Sequence, residues 1–278
     1  MTQSIVATLA TGGAIEDLRV LLASLQIFNA TPPTVYMFCD KRVADVLHTF
    51  KYPGRVIFRE DLNRYSPFTR AAMEALPGRT FKSMWHEFMT EKINLLRWVF
   101  DKEQTGVFFC DADICFLDAL PAEPEGTLVA LSPHAIRPGD EAKYGKYNGG
   151  FLWMKEARHA ETWWAACAGA RFYEQSALED VAASLTGGEL FEFPVTQNYG
   201  WWRMWQGVRT PEELQAEWSI NRGKGGAGIM VGGTTLGSVH THFVTKDPAT
   251  QAFNEWVISW LRRLESHVPA KRILGAVQ

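Results

Sequence analysis

Cysteine is scarce in this chain of 278 residues, and the four present, Cys39, Cys110, Cys115 and Cys167, lie in apolar stretches with no Cys-x-x-Cys pair. That spacing excludes a disulfide framework and a cysteine-ligated zinc site, and the four read as reduced core thiols. No apolar run approaches the roughly 18 residues of a membrane-spanning helix, and no basic region precedes the first apolar stretch, Met1 to Ala10. The expectation is a soluble, cytoplasmic protein. A peripheral membrane contact through the amphipathic stretch Phe253 to Leu264, with Arg262 and Arg263, stands as an alternative to core packing there. Excess charge of either sign is also missing: a net charge of −3 offers no field for nucleic acid, although small anions can still bind locally. Internal repeats, low-complexity tracts and interdomain linkers are absent, and no Gly-x-x-x-x-Gly-Lys-Ser/Thr phosphate loop occurs.

What the chain does have is apolar material, 46% hydrophobic and 13% aromatic, enough for a substantial core. Ser4 to Leu9 reads as a strand and Thr11-Gly12-Gly13 as its turn. Ala14 to Phe28 has helical spacing, with Ile15, Leu18, Leu22 and Leu25 on one face. Thr34 to Cys39 is the next strand, Val43 to Phe50 a helix and Arg55 to Phe58 a third strand, so the chain opens βαβαβ. Met84 to Phe100 reads as a long helix. The second half carries a polar loop, Ser132 to Tyr147, and an Ala/Trp-rich helix near Glu156 to Ala170. One α/β domain is predicted, a mostly parallel sheet flanked by helices, with a nucleotide half to about 118 and a substrate half from about 119 to 278.

The most informative run is Val107 to Leu117, in which Asp111 and Asp113 interrupt an otherwise apolar strand-like segment of the sheet. Ionised aspartates are rarely buried without a cationic partner, and a hard divalent cation takes oxygen ligands while leaving positions open for phosphates. Ligands of open α/β sheets bind beyond the carboxyl ends of the strands, which is where this pair would sit. The residues alone therefore point to a metal-diphosphate site at a sheet edge. A capping Asp beside one paired with Lys or Arg is the plainer alternative.

Further signals follow in a fixed order: Val6-Ala7-Thr8-Leu9-Ala10 in the first strand, Lys92 on the long helix, Asp111-Ala112-Asp113, Asn148-Gly149-Gly150, Glu174-Gln175-Ser176, Phe193-Pro194 running to Asn198-Tyr199, and Val239-His240-Thr241-His242-Phe243 with Lys246. In this order, from residue 4 to about 246, the chain resembles the GT-A (Rossmann-like) class of nucleotide-diphospho-sugar glycosyltransferases, particularly the branch of glycogenin and bacterial lipopolysaccharide galactosyltransferases. The resemblance implies a metal-dependent transferase acting, with retention, on a nucleotide-diphosphate sugar, a UDP-sugar first, and a glycan or glycoconjugate acceptor. It implies donor contacts from Thr8, Ala10, Lys92, Asp111, Ala112, Asn148, Gly149 and Lys246. Mn2+ or Mg2+ would be held by Asp111 and Asp113 with His240 or His242, and Gln175, Glu174 and Asn148 would lie at the reacting carbon. On a strand both histidines face one way, so the choice between them stays open.

The chain departs from the family in having Glu174 where Asp is usual and Ser176 where a second Asp is common, and in lacking the glycine after His-Phe and the Pro-Trp after Lys. If the reaction inverted, Glu174, Glu179 or Asp180 would be the candidate base. Two rival readings are a haloacid-dehalogenase-type phosphatase, whose Asp-x-Asp falls near the N-terminus, and a sugar- or nucleotide-binding protein of this fold without turnover. The cluster Trp201, Trp202 and Trp205 offers an acceptor platform or core filling. The Gly-rich stretch Asn221 to Gly228, with Arg222 and Lys224, and the loop Ser132 to Tyr147 read as covers for the site or as plain solvated loops.

Overall fold

In the computed structural model, which describes residues 3–222, 227–244 and 247–277, the all-buried strands β1 (Ile5–Ala10) and β2 (Thr34–Cys39) pair in parallel at the heart of the sheet. Between them runs α1 (Ile15–Phe28), with Glu16 and Asp17 in its first turn where the helix dipole favours acids. Asp40 caps α2 (Lys41–Val46), accepting from the Val43 N–H, and β3 (Val56–Arg59) adds the parallel edge. The expected helix Val43 to Phe50 is thus shorter and starts earlier, because Asp40 supplies the cap. After α3 (Arg70–Ala75), Ser83 caps α4 (Met84–Phe100) over the span its periodicity predicts. Side chains of β1 alternate: Ile5, Ala7 and Leu9 meet Ile93 and Leu96 of α4, while Val6 and Ala10 meet Leu18, Leu21 and Leu25 of α1.

The acidic run does not continue one strand. β4 (Val107–Cys110) ends in the main sheet beside β1, and after the two aspartates the chain restarts as β5 (Ile114–Phe116) in a different sheet. The main sheet is completed by β6 (Val129–Pro133), by β7 (Tyr147–Met154), which follows α5 (Pro138–Tyr144), and by β8 (Leu190–Glu192), which follows α6 (Ala157–Cys167) and α7 (Leu178–Ala183). Its seven strands lie in the order β3-β2-β1-β4-β7-β6-β8, all parallel except β7, which is antiparallel to both neighbours.

The remaining elements build a platform under the acidic pair. β9 (Tyr199–Gly200) precedes two short helices, α8 (Arg203–Gln206) and α9 (Pro211–Ala216), and then come β10 (Trp218–Asn221), β11 (Gly228–Val231) and β12 (Thr234–Thr235) as a small antiparallel sheet. β13 (Ser238–His240) enters between β5 and β9. α10 (Pro248–Arg262) and α11 (Val268–Val277) close the chain around Phe253, Val257 and Ile273 in a third core that also takes Val20 of α1. Among the described residues no helix is long and apolar enough to cross a membrane. All four cysteines are buried and free.

Candidate active site

The switch of sheets at the end of β4 aims Asp111 and Asp113 at β13. The Asp111 N–H donates to the Gly150 carbonyl of β7 at 2.7 Å, and the Thr241 N–H donates to the Asp113 carbonyl at 2.9 Å. Because His240 lies opposite Ile114 in the antiparallel β5–β13 pair, its ring arrives beside the two carboxylates. Its Nε2 is 3.2 Å from Asp113 Oδ1 and 3.9 Å from Asp111 Oδ2. One donor atom from each of Asp111, Asp113 and His240 lies within 4.8 Å of the others. Gly150 makes room for this cluster: a Cβ there would stand 2.3 Å from His240 Cε1 and 2.6 Å from Asp111 Oδ2.

The proton on His240 can be placed by following hydrogen bonds from a group that only donates. The Gly150 N–H bonds the side-chain oxygen of Asn148 at 2.9 Å, so that oxygen accepts from Asn198 Nδ2 at 3.0 Å. The Asn198 oxygen then accepts from His240 Nδ1 at 3.1 Å. This leaves the Nε2 lone pair facing the carboxylates, the tautomer a metal-ligating histidine needs. The same chain extends outward. Asn148 Nδ2 donates to Gln175 Oε1 at 3.3 Å, which also accepts from the Gly149 N–H, while Gln175 Nε2 donates to the Tyr144 carbonyl at 2.8 Å. The three donors and the tautomer fit a hard divalent cation with oxygen and imidazole ligands.

Lys92, buried on α4, meets Asp111 at 3.1 Å and Glu174 at 3.0 Å, and donates to the Gly149 carbonyl at 3.1 Å. Burial opposes its charge, but the two carboxylates outweigh that and hold its pKa above the ordinary lysine value. Burial pushes the Glu174 carboxyl up despite Lys92, and Glu174 Oε2 has no hydrogen-bond partner. For Asp113 burial works the same way but loses to the charge and hydrogen bond that the His240 ring supplies when it carries a second proton, with His242 adding to it, and the carboxyl is then held well below its usual range.

His242 lies just past β13 on the other side of Asp113, its Nε2 3.4 Å from Asp113 Oδ2 and its Nδ1 2.8 Å from Asp17 Oδ2. It stands outside the converging set of three donors and just beyond the end of β13, yet its ring, like that of His240, reaches the Asp113 carboxylate, and it lines the cleft. The Asp17 hydrogen bond raises the His242 pKa to about 9 against the pull of burial. The acidic pair and Lys92 line a cleft of about 540 Å3 that runs past Leu9, Thr11 and Asp17 to Phe68 and Trp85. Thr8 and Ala10 are buried in β1, so the neighbouring Leu9 and Thr11 present the first strand to the cleft; Ala112 lines it directly. Asn148, Gly149, Glu174 and Gln175 are brought together beside Lys92, whereas Lys246 and Lys224 lie outside the described residues.

Two participants carry no pattern visible in the sequence. Asp17 reads there only as a helix-start acid. His134 hides in a loop: its Nδ1 bonds the Gly145 carbonyl, its Nε2 lies 3.5 Å from Asn148 Nδ2, and burial pulls its pKa down to about 4. Trp202 packs edge-on against both His240 and His134, at 4.9 and 5.1 Å, and so fills the core behind the site, while Trp205 is exposed.

A seven-stranded sheet of this order, with an acidic pair beyond the end of β4 and a histidine returned from the C-terminal region, has the GT-A fold. The crystal structure of mouse xyloside xylosyltransferase 1 in its apo form matches it with a TM-score of 0.51 at 13% identity, over 73% of this chain and 90% of that one. No protein-family model matches the sequence, and no curated protein matches it either.

Proposed function

We propose that the chain is a metal-dependent glycosyltransferase that moves a sugar from a nucleotide-diphosphate sugar, a UDP-sugar first, to a hydroxyl of a glycan or glycoconjugate, with retention. The observation that carries this reading is the convergence of Asp111, Asp113 and His240, the two aspartates lining the cleft and the buried His240 behind them, with the imidazole tautomer set by Asn198. The backbone likeness to a xylosyltransferase supports the same class. Asp111, Asp113 and His240 would hold Mn2+ or Mg2+, which when bound would neutralise the charge that develops on the departing diphosphate. Lys92 holds Asp111 in place, and the Asn148–Gln175 pair presents amides to the sugar. The engagement of two of the three candidate bases favours retention: Glu174 is bound to Lys92, Glu179 is gripped by Arg171 at 2.6 and 3.0 Å, and the exposed Asp180 does not line the cleft. The four buried free thiols support the cytoplasm as its compartment.

The test is a thermal-shift panel of UDP-, GDP-, dTDP- and CMP-sugars with and without Mn2+, followed by donor hydrolysis and transfer assays. One nucleotide family should raise the melting temperature only when Mn2+ is present, because a ligand that binds the folded state stabilises it by mass action. Absence of any Mn2+-dependent shift would overturn the reading. Binding without hydrolysis or transfer would leave a sugar-nucleotide binder in its place.

A further inference from the structure

A second cavity of about 590 Å3 lies between the end of α3, the first turn of α4 and the loop that follows α6. Glu74, Lys82, His86, Arg171, Phe172 and Tyr173 line it. Its wall is shared with the cleft. Arg70 and Trp85 face the cleft, while Glu74 and His86, on the same two helices, face the cavity. The Tyr173 ring closes the gap, edge-on to Trp85 at 6.5 Å and to His86 at 5.8 Å.

Tyr173 is held in the left-handed region at φ +46°, a conformation that a bulky side chain adopts only when its surroundings impose it. Those surroundings are the cavity itself: its hydroxyl donates to Glu74 Oε1 at 3.0 Å, and its ring rests on Phe172 at 4.7 Å. The next two residues are Glu174 and Gln175. The strained residue therefore joins the cavity lining to the side chains beside Lys92 and Gly149.

We infer that this cavity is a saccharide site, taking the sugar units of the acceptor that lie next to the reacting one; the inference rests on the glycosyltransferase reading. The lining chemistry selects the class. Arg171 is occupied by Glu179 and by the carbonyls of Ala142 and Glu141, and Glu74 is paired with Arg70, so apart from the single Lys82 ammonium little net charge remains to hold a strong anion. Aromatic faces from Phe172 and Tyr173 beside a rim of hydroxyl, carboxylate, imidazole and ammonium groups match a sugar ring, with its C–H face and its hydroxyl edge. An acceptor with its reacting hydroxyl in the cleft would lay its next units over the Trp85–Tyr173 wall. The enzyme would then prefer oligosaccharide acceptors to a single sugar, since contacts remote from the reacting centre add binding energy.

The test is an array of neutral di- to tetrasaccharides probed with the fluorescently labelled full chain, without donor or Mn2+. Binding to a related set of glycans is expected, weakened about tenfold or more in Phe172→Ala and Lys82→Ala, each first shown to melt like the parent. No retained glycan, or retention by both cavity variants equal to the parent's, would overturn the inference. Mn2+-dependent donor stabilisation measured on the same preparations separates the two readings: its absence with array binding intact would refute the transferase and leave the saccharide site standing.

Discussion

Asp113 has a histidine on each side, and the two flanks are built from different materials. On the inner flank His240 is buried, covered by Trp202 and backed by the Asn198 amide, itself tied through Asn148 to a backbone N–H. On the outer flank His242 is half exposed and backed by the Asp17 carboxylate. An amide oxygen fixes where one imidazole proton sits and adds no charge. A carboxylate adds charge and favours a second proton. What stands behind an imidazole thus decides whether its far nitrogen offers a lone pair or an N–H, and in the proposed reading one motif would supply a metal ligand and, beside it, a cation.

Removing the carboxylate that both flanks face is the most severe way to break this comparison. Asp113→Ala should lower Mn2+-dependent donor turnover by about 1,000-fold or more in initial-rate assays, with far-UV circular dichroism unchanged. The flanks are separated directly by titration calorimetry with Mn2+: His240→Ala should weaken binding by about 100-fold and His242→Ala by less than about threefold. Equal losses would erase the distinction. A subtler change acts from behind: Asn198→Leu, which has no direct contact with an ion, should weaken Mn2+ binding by about tenfold by releasing the ring. Wild-type affinity in that variant would show that the tautomer needs no support.

The smallest effect is on stability. Folding raises the His242 pKa from 6.5 to about 9, so the stability it contributes is complete below pH 6.5 and is lost as pH rises through 9. Because the ring is half exposed, the melting temperature should fall across that window by only about a degree or two more in the parent than in His242→Gln. Parallel curves for the two proteins would show that the Asp17 pairing carries no net weight.

Much of the first 118 residues was legible because its signals are local. The span of α4 follows from the apolar spacing of Phe88, Ile93, Leu96 and Val99, and β2 from its unbroken apolar run after Thr34. The acidic pair was legible as an interruption of apolar sequence. The break between β4 and β5 was not, since apolar residues on both sides give no sign that the chain changes sheets there. Nor could periodicity choose between His240 and His242: the choice depends on Asn198 and Asp17, which reach the site from distant parts of the chain. Which residues of β1 line the cleft was not legible either, Leu9 and Thr11 doing so, because a strand buried on both sides has no polar alternation to mark its faces. His134 and the second cavity arise from loops, whose packing leaves no periodic trace.

The pairing of β5 with β13 also has a consequence in time. A chain made at about 5–20 residues per second presents its acidic pair long before its histidine. Until β13 has been synthesised and has slipped between β5 and β9, the two aspartates end an unfinished strand edge, with no imidazole and no bond from the Thr241 amide to hold the Asp113 backbone. The three-donor cluster is thus completed late, yet before the third core, because its imidazole arrives at residue 240 while α10 and α11 are still to be made.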